Sequence, residues 1–269
     1  MPHLTRPAVA IAALAGLALP ALAQTDLLPD VITESATLND WDIVQQGGRT
    51  LLRLSNSTPN AGLGRLHLYG GNVVGNLQQV WQRIFRTDGT FTDRLAGTFT
   101  YHPSHGHIHY DNWCKYRLRE VTAGGGVGPI VREGAKVSFC ILDLAVYDTT
   151  NPNFRSPGFY PGCGSTVQGL TPGWKDIYGK TLEGQNIDIT GVPNGQYWLE
   201  SEVDPDNSIV ESDETNNISR IRITLGGTGG FDPDRYEPND SVAAVAALPS
   251  GQPNLPNLGP VFPSVNITG

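Results

Sequence analysis

The sequence predicts an all-β protein: a β-sandwich core with long functional loops and few short helices. Three observations lead there. The 269 residues include 32 glycines and 20 prolines, a density of turn formers that favours short strands over long helices. Apolar residues recur with period two along several runs, the rhythm of a half-buried strand. Convincing amphipathic helices, with apolar residues at i, i+3 and i+4, are almost wholly missing. Hydrophobic residues make up 39% of the chain, enough for a core of ordinary size.

Residues 1–23 have the layout of a secretory signal, with Arg6 at its charged start, an apolar run over Ala8–Leu19, and Ala21-Leu-Ala23 before the cleavage point. The apolar run is too short to span a bilayer, and no later stretch approaches that length. The expected mature chain begins at Gln24 and is soluble and secreted, either extracellular or periplasmic. Trp41–Val44 and Thr50–Leu54 read as strands, and Ser55-Asn-Ser-Thr-Pro-Asn60 as a turn-rich closure. After a glycine-rich passage, Gln78–Phe85 fits a strand or a helical turn. Thr87-Asp-Gly-Thr90 signals a hairpin, since Asp-Gly favours a type I′ turn. Thr98–Tyr101 leads into a histidine cluster, and Trp113–Leu118 continues as a strand with Tyr116 and Leu118 on one face and Arg117 on the other.

Ala135–Leu144 is mostly apolar, with Lys136 its one cation. Residues 148–173 form a loop with four prolines and Cys163, too long for a mere connection. Asn186–Ile189, Gly195–Val203 and Ser219–Thr224 complete the strands, with a turn at Asp204-Pro-Asp-Asn207. That turn, together with Glu211 and Asp213, gathers oxygens suited to calcium but lacks the spacing of a recognised calcium loop. An acidic turn is the simpler reading. Residues 24–228 therefore form the folded domain. Residues 229–269, opening on a glycine-rich linker and rich in proline and asparagine, form a tail or the stub of an appended β module, too short to bury a core unaided.

A formal net charge of −8 argues against nucleic acid as a partner, because no basic field holds phosphates. It gives a weak, salt-screened preference for cationic partners such as amines or lysine-rich proteins. The chain has one methionine, the initiator, which rules out thioether ligation of a metal.

The chemistry gathers at His102-Pro-Ser-His105-Gly-His107-Ile-His109. In an extended strand His105, His107 and His109 share a face at intervals of about 6.5–7 Å, and twist lets three imidazoles converge on one ion. Three histidines leave coordination positions open, as a working metal site requires. Copper and zinc both suit imidazole, and copper wins at equal availability. A metal-free exposed ladder, or a zinc centre that hydrolyses through bound hydroxide, fits the same spacing.

Further along, the segments become recognisable. The histidine segment resembles the copper-binding segment of the lysyl oxidase family. Ala135-Lys136-Val-Ser-Phe-Cys140 is similar to that family's cofactor-lysine segment, and Gln168-Gly-Leu-Thr-Pro-Gly-Trp-Lys-Asp-Ile-Tyr178 to its cofactor-tyrosine segment. Ile187–Thr190, Gly195-Gln-Tyr197 and Glu211–Asn217 follow the family's closing strands, and Leu27–Asp30 and Leu51–Arg53 its beginning. The resemblance runs over roughly residues 26–225.

It implies that residues 24–228 are a lysyl oxidase-like catalytic domain, a copper-dependent amine oxidase. By that resemblance His105, His107 and His109 hold copper, while Lys136 and Tyr178 become the cofactor lysine tyrosylquinone. The partners implied are molecular oxygen and a primary amine, peptidyl lysine included; the products are an aldehyde, ammonia and hydrogen peroxide. A secreted metal-binding or adhesion module with the same fold and no quinone is the alternative, and a zinc hydrolase the next. Taken singly, Lys136 is an ordinary surface lysine and Tyr178 a half-buried tyrosine.

The chain departs from the family in places. Animal members carry a cysteine where Ser104 stands. Cys140 and Cys163 fall at family cysteine positions, but their partners there differ; in this chain they are expected to pair with each other, closing the long loop before Tyr178, and to leave Cys114 over. Lys175 stands where the family often has tyrosine and is a rival cross-linking amine. His102 is either a group that orients a ligand or an occasional fourth ligand. Asp176 and Asp143 are both candidates for the general base.

Overall fold

A computed structural model describes residues 24–75, 77–103 and 106–226. The secretory signal and the tail expected from the sequence lie outside them, as does His105. Among the described residues the chain forms sixteen strands and one four-residue helix, so the all-β expectation is met. The strands begin with β1 (Asp26–Leu27). After the short helix α1 (Ser35–Leu38) come β2 (Trp41–Gln46), β3 (Arg49–Leu54), β4 (Asn56–Pro59), β5 (Leu66–Val74), β6 (Leu77–Arg86), β7 (Phe91–His102) and β8 (His107–Tyr110). The second half has β9 (Cys114–Val121), β10 (Val127–Glu133), β11 (Ala145–Val146), β12 (Val167–Leu170), β13 (Trp174–Tyr178), β14 (Asn186–Asp188), β15 (Gly195–Val203) and β16 (Ile218–Leu225).

Every pairing among these strands is antiparallel. The largest sheet runs β12-β5-β6-β7-β8, with β1 on β6; the second runs β10-β9-β15-β16. Two three-stranded sheets, β11-β13-β4 and β14-β3-β2, complete the fold. Alternation decides which side chains face inward. Cys114, Tyr116 and Leu118 of β9 are buried and so are Leu199 of β15 and Leu66 and Leu68 of β5; all join one continuous core with Leu52, Leu54, Phe99 and Phe139.

Three local expectations are decided by the structure, the first in favour of one of its two alternatives. Gln78–Phe85 is strand throughout, within β6. The Thr87–Thr90 hairpin exists, but only Gly89 has positive φ there, so the turn is not the mirror-image type I′. Asp88 instead accepts hydrogen bonds from the Thr90 N–H and hydroxyl. The stretch 56–59, which reads as a turn because of its small polar residues, is a fully buried strand paired with β13. Its polar groups are met inside: Ser57 bonds Glu34 and Thr37, and Asn56 accepts from Ser201. Partnering, which composition does not reveal, is what lets such a strand be buried.

Candidate metal and cofactor centre

β8 pairs with β7 so that His102 stands directly across from His107. Strand alternation puts His107 and His109 on one face, and their Nε2 atoms approach to 3.0 Å. The His102 ring stacks on that of His109 at 4.7 Å. Two imidazole nitrogens bound to one ion at ~2.0–2.1 Å and at roughly a right angle stand about 3 Å apart, so this pair has the spacing of two ligands on a shared metal. His109 is buried, and Ser138 Oγ lies 3.5 Å from its Nδ1, on the far side of the ring from Nε2.

Ser138 belongs to a strap, residues 136–141, that links the histidines to the second half of the site. Tyr110 and Phe139 exchange backbone hydrogen bonds, and the Trp113 N–H donates to the Val137 carbonyl. Gln168 holds strap and histidine strand together: its Oε1 accepts the Ile141 N–H, and its Nε2 donates to the Ile108 carbonyl. The Ile108 N–H in turn donates to the Cys163 carbonyl. The expected 148–173 loop carries strand β12 near its end; the stretch before β12 packs along the open edge of β8 and is fastened to the strap by the disulfide Cys140–Cys163. Cys114 remains a buried free thiol.

The strap presents Lys136 and Phe139 to Tyr178 of β13. Lys136 Nζ lies 5.1 Å from the Tyr178 ring centroid, and Phe139 meets that ring edge-on at 4.9 Å. The Tyr178 hydroxyl donates to the Cys140 carbonyl at 2.8 Å. Burial lowers the Lys136 pKa, favouring the neutral amine, and raises that of Tyr178 far above the usual phenol. Lys136 Nζ donates to the Glu183 carbonyl. Gly184, at φ +77°, leaves space for the lysine stem, because a Cβ there would stand 2.9 Å from Lys136 Cδ.

The rival amine is engaged elsewhere. Lys175 Nζ binds Glu34 at 2.7 Å, as expected of a residue whose side chain leaves β13 on the face opposite Asp176 and Tyr178. The two acidic candidates also separate. Asp143 accepts the N–H groups of Tyr160 and Thr171 and the Thr171 hydroxyl, clamping the long loop. Asp176 is 1% exposed; its Oδ1 accepts the Ile177 N–H, and its buried Oδ2 has no partner among the described residues. At the Asp204 turn, the carboxylate accepts the N–H groups of Ser208 and Ile209, which is the bond pattern of a turn. Its donor atoms, with those of Glu211 and Glu214, lie within 4.8 Å of one another.

The family model for lysyl oxidase matches residues 85–230, more than half of the chain and all of the centre just described. The chain belongs to the lysyl oxidase family. Human lysyl oxidase homolog 1 is 37% identical over 136 residues, which is 50% of this chain and 22% of that protein. Human protein-lysine 6-oxidase is 34% identical over 142 residues, 52% of this chain and 31% of the relative. Zebrafish (Danio rerio) lysyl oxidase homolog 3B is 28% identical over 199 residues, 74% of this chain and 20% of the relative. This chain thus spans about a fifth to a third of the length of these relatives.

Strand spacing anticipates that His107 and His109 share a face, and the family resemblance points to Lys136 and Tyr178, which the fold brings side by side. Gln168, Gly184 and the spare carboxylate oxygen of Asp176 have no signal in spacing; they emerge only from packing. Among the described residues no helix is long and apolar enough to cross a membrane.

Proposed function

We propose that this lysyl oxidase family member is an exported copper- and quinone-dependent amine oxidase. It would convert a primary amine, peptidyl lysine among the substrates, with O₂ and water, into an aldehyde, ammonia and hydrogen peroxide. The observation that carries the proposal is Lys136 Nζ standing 5.1 Å from the Tyr178 ring centroid. A cross-link between residues 42 positions apart needs its amine held beside the ring before any chemistry begins.

In this reading His107 and His109, with His105 of the same motif, hold the copper ion; the 3.0 Å approach of two Nε2 atoms fits such an ion. Lys136 and Tyr178 are the precursors of lysine tyrosylquinone, which supplies the two-electron sink that no ordinary side chain offers. The protein's own contribution is positional and electrostatic. The Cys140 carbonyl fixes the Tyr178 hydroxyl, Phe139 packs perpendicular to the ring, and burial favours the neutral Lys136 amine that can add to an electrophile.

The test is peptide mapping of protein matured with copper and oxygen. A joined Lys136–Tyr178 peptide with the mass of the quinone is the expected result. Separate, unmodified peptides under those conditions would refute the proposal. Peroxide release with a simple amine, blocked by a hydrazine, distinguishes the oxidase from a metal-binding module of the same fold.

A further inference from the structure

We propose that Asp176 is the base that takes the substrate's proton at this centre, an inference that rests on the reading of Tyr178 as the cofactor ring. The residue lies two positions before Tyr178 in β13, whose register with β4 is unbroken from Lys175 to Tyr178. Asp176 and Tyr178 therefore leave the strand on the same face. One carboxylate oxygen is pinned by the Ile177 N–H, and the other is buried without a well-formed hydrogen bond among the described residues, the Leu142 amide being near enough only to pull on the group. An orphaned acceptor in a dry interior is costly, and it persists beside the one ring assigned to chemistry. Asp143, the other nearby acid, has its carboxylate taken up by Tyr160 and Thr171.

Electrostatics supports the geometry. Burial raises the Asp176 pKa to about 8, against the pull of the Ile177 and Leu142 amides; Asp143 raises it further and Lys136 lowers it. Tyr178 and Cys114, the other titratable groups that feel its charge, are held neutral by their own burial. Joining Lys136 to the ring would remove the one cation that lowers this pKa. A base poised near neutral pH is the kind that general-base catalysis favours. In the step assigned to it, the C–H bond at the amine-bearing carbon breaks, its proton forms an O–H bond on Asp176, and its electron pair passes to the quinone, which O₂ later reoxidises.

The experiment compares wild type, D176N and D176E after maturation with copper and oxygen. Trapping by phenylhydrazine, read by absorbance and mass, reports the ring without needing proton abstraction at carbon. D176N is expected to trap phenylhydrazine at wild-type stoichiometry. Its kcat for a simple primary amine should fall at least 100-fold, the ascending limb of its pH–rate profile should vanish, and its isotope effect with α,α-dideuterated amine should rise. D176E should keep the pH limb with reduced kcat, and decides the matter if D176N does not fold. A fully trapped D176N with kcat within threefold of wild type and the same limb overturns the assignment, as does D176E with unchanged kcat. D176N that folds yet traps nothing assigns the carboxylate to building the ring and overturns it too. Wild type that traps nothing refutes the reading of Tyr178, and the proposal falls with it.

Discussion

At the scale of single residues, the site depends on which amines and imidazoles are already committed. Lys175 is held by Glu34, whereas Lys136 stands over the Tyr178 ring. K175M is therefore expected to leave the joined peptide intact, and K136M to abolish it, both read by mass after maturation. H107A and H109A each remove one of two converging nitrogens and should lose copper by at least tenfold in affinity, measured by metal titration. Spacing made His107 and His109 legible because strand alternation needs no tertiary information. Lys136 and Tyr178 are a different matter: no periodicity links residues so far apart, and only resemblance to a family joined them. His102 reads as out of phase along one strand, yet a hairpin brings it opposite His107. Asp176 and Asp143 stand as equal candidates in the sequence, which does not reveal which carboxylate is already bonded.

At the scale of elements, the 136–141 strap governs how the two halves of the site meet. Its neighbour Gly184 has positive φ and lies against the Lys136 stem. G184A should cost about 1 kcal/mol or more in stability, because alanine is strained at that φ. It should also displace Lys136 and slow cross-linking, read as the half-time of joined-peptide formation. The disulfide closes a loop with a sequence separation of 23, worth about 3 kcal/mol by loop-closure entropy. C140S/C163S should lose stability of that order in denaturant melts. β4 is the element the sequence hid, because Ser, Asn, Thr and Pro are turn residues by propensity. Here they form a buried strand, since Glu34, Thr37 and Ser201 satisfy their polar groups.

For the molecule as a whole, burial of acids sets how stability responds to pH. Asp176 and Glu211 are both raised to about 8 by burial. Between their ordinary values and about pH 8 the folded state keeps protons that the unfolded chain has released, so stability falls as pH rises through that window. His67 acts in acid: burial lowers its pKa to about 4, and stability is lost as pH falls from 6.5 towards 4. The metal-free protein should therefore melt at a lower temperature at pH 8 than at pH 5, and D176N should flatten that decline. Overall architecture is the most legible level, because turn density follows from composition and period-two runs from the local order of residues. The division into four sheets is not, since which strand edges meet is decided by long-range packing.

The carbonyl that anchors the Tyr178 hydroxyl belongs to a half-cystine, and this gives the chain an order of events. While thiols are kept reduced, the seat of the ring lacks its covalent clamp, and the loop along β8 is held by packing and hydrogen bonds alone. Oxidation of the cysteines completes the seat; only then does the proposed centre have its full scaffold. On the function proposed above, the same disulfide bond would tie peroxide release to an oxidising compartment.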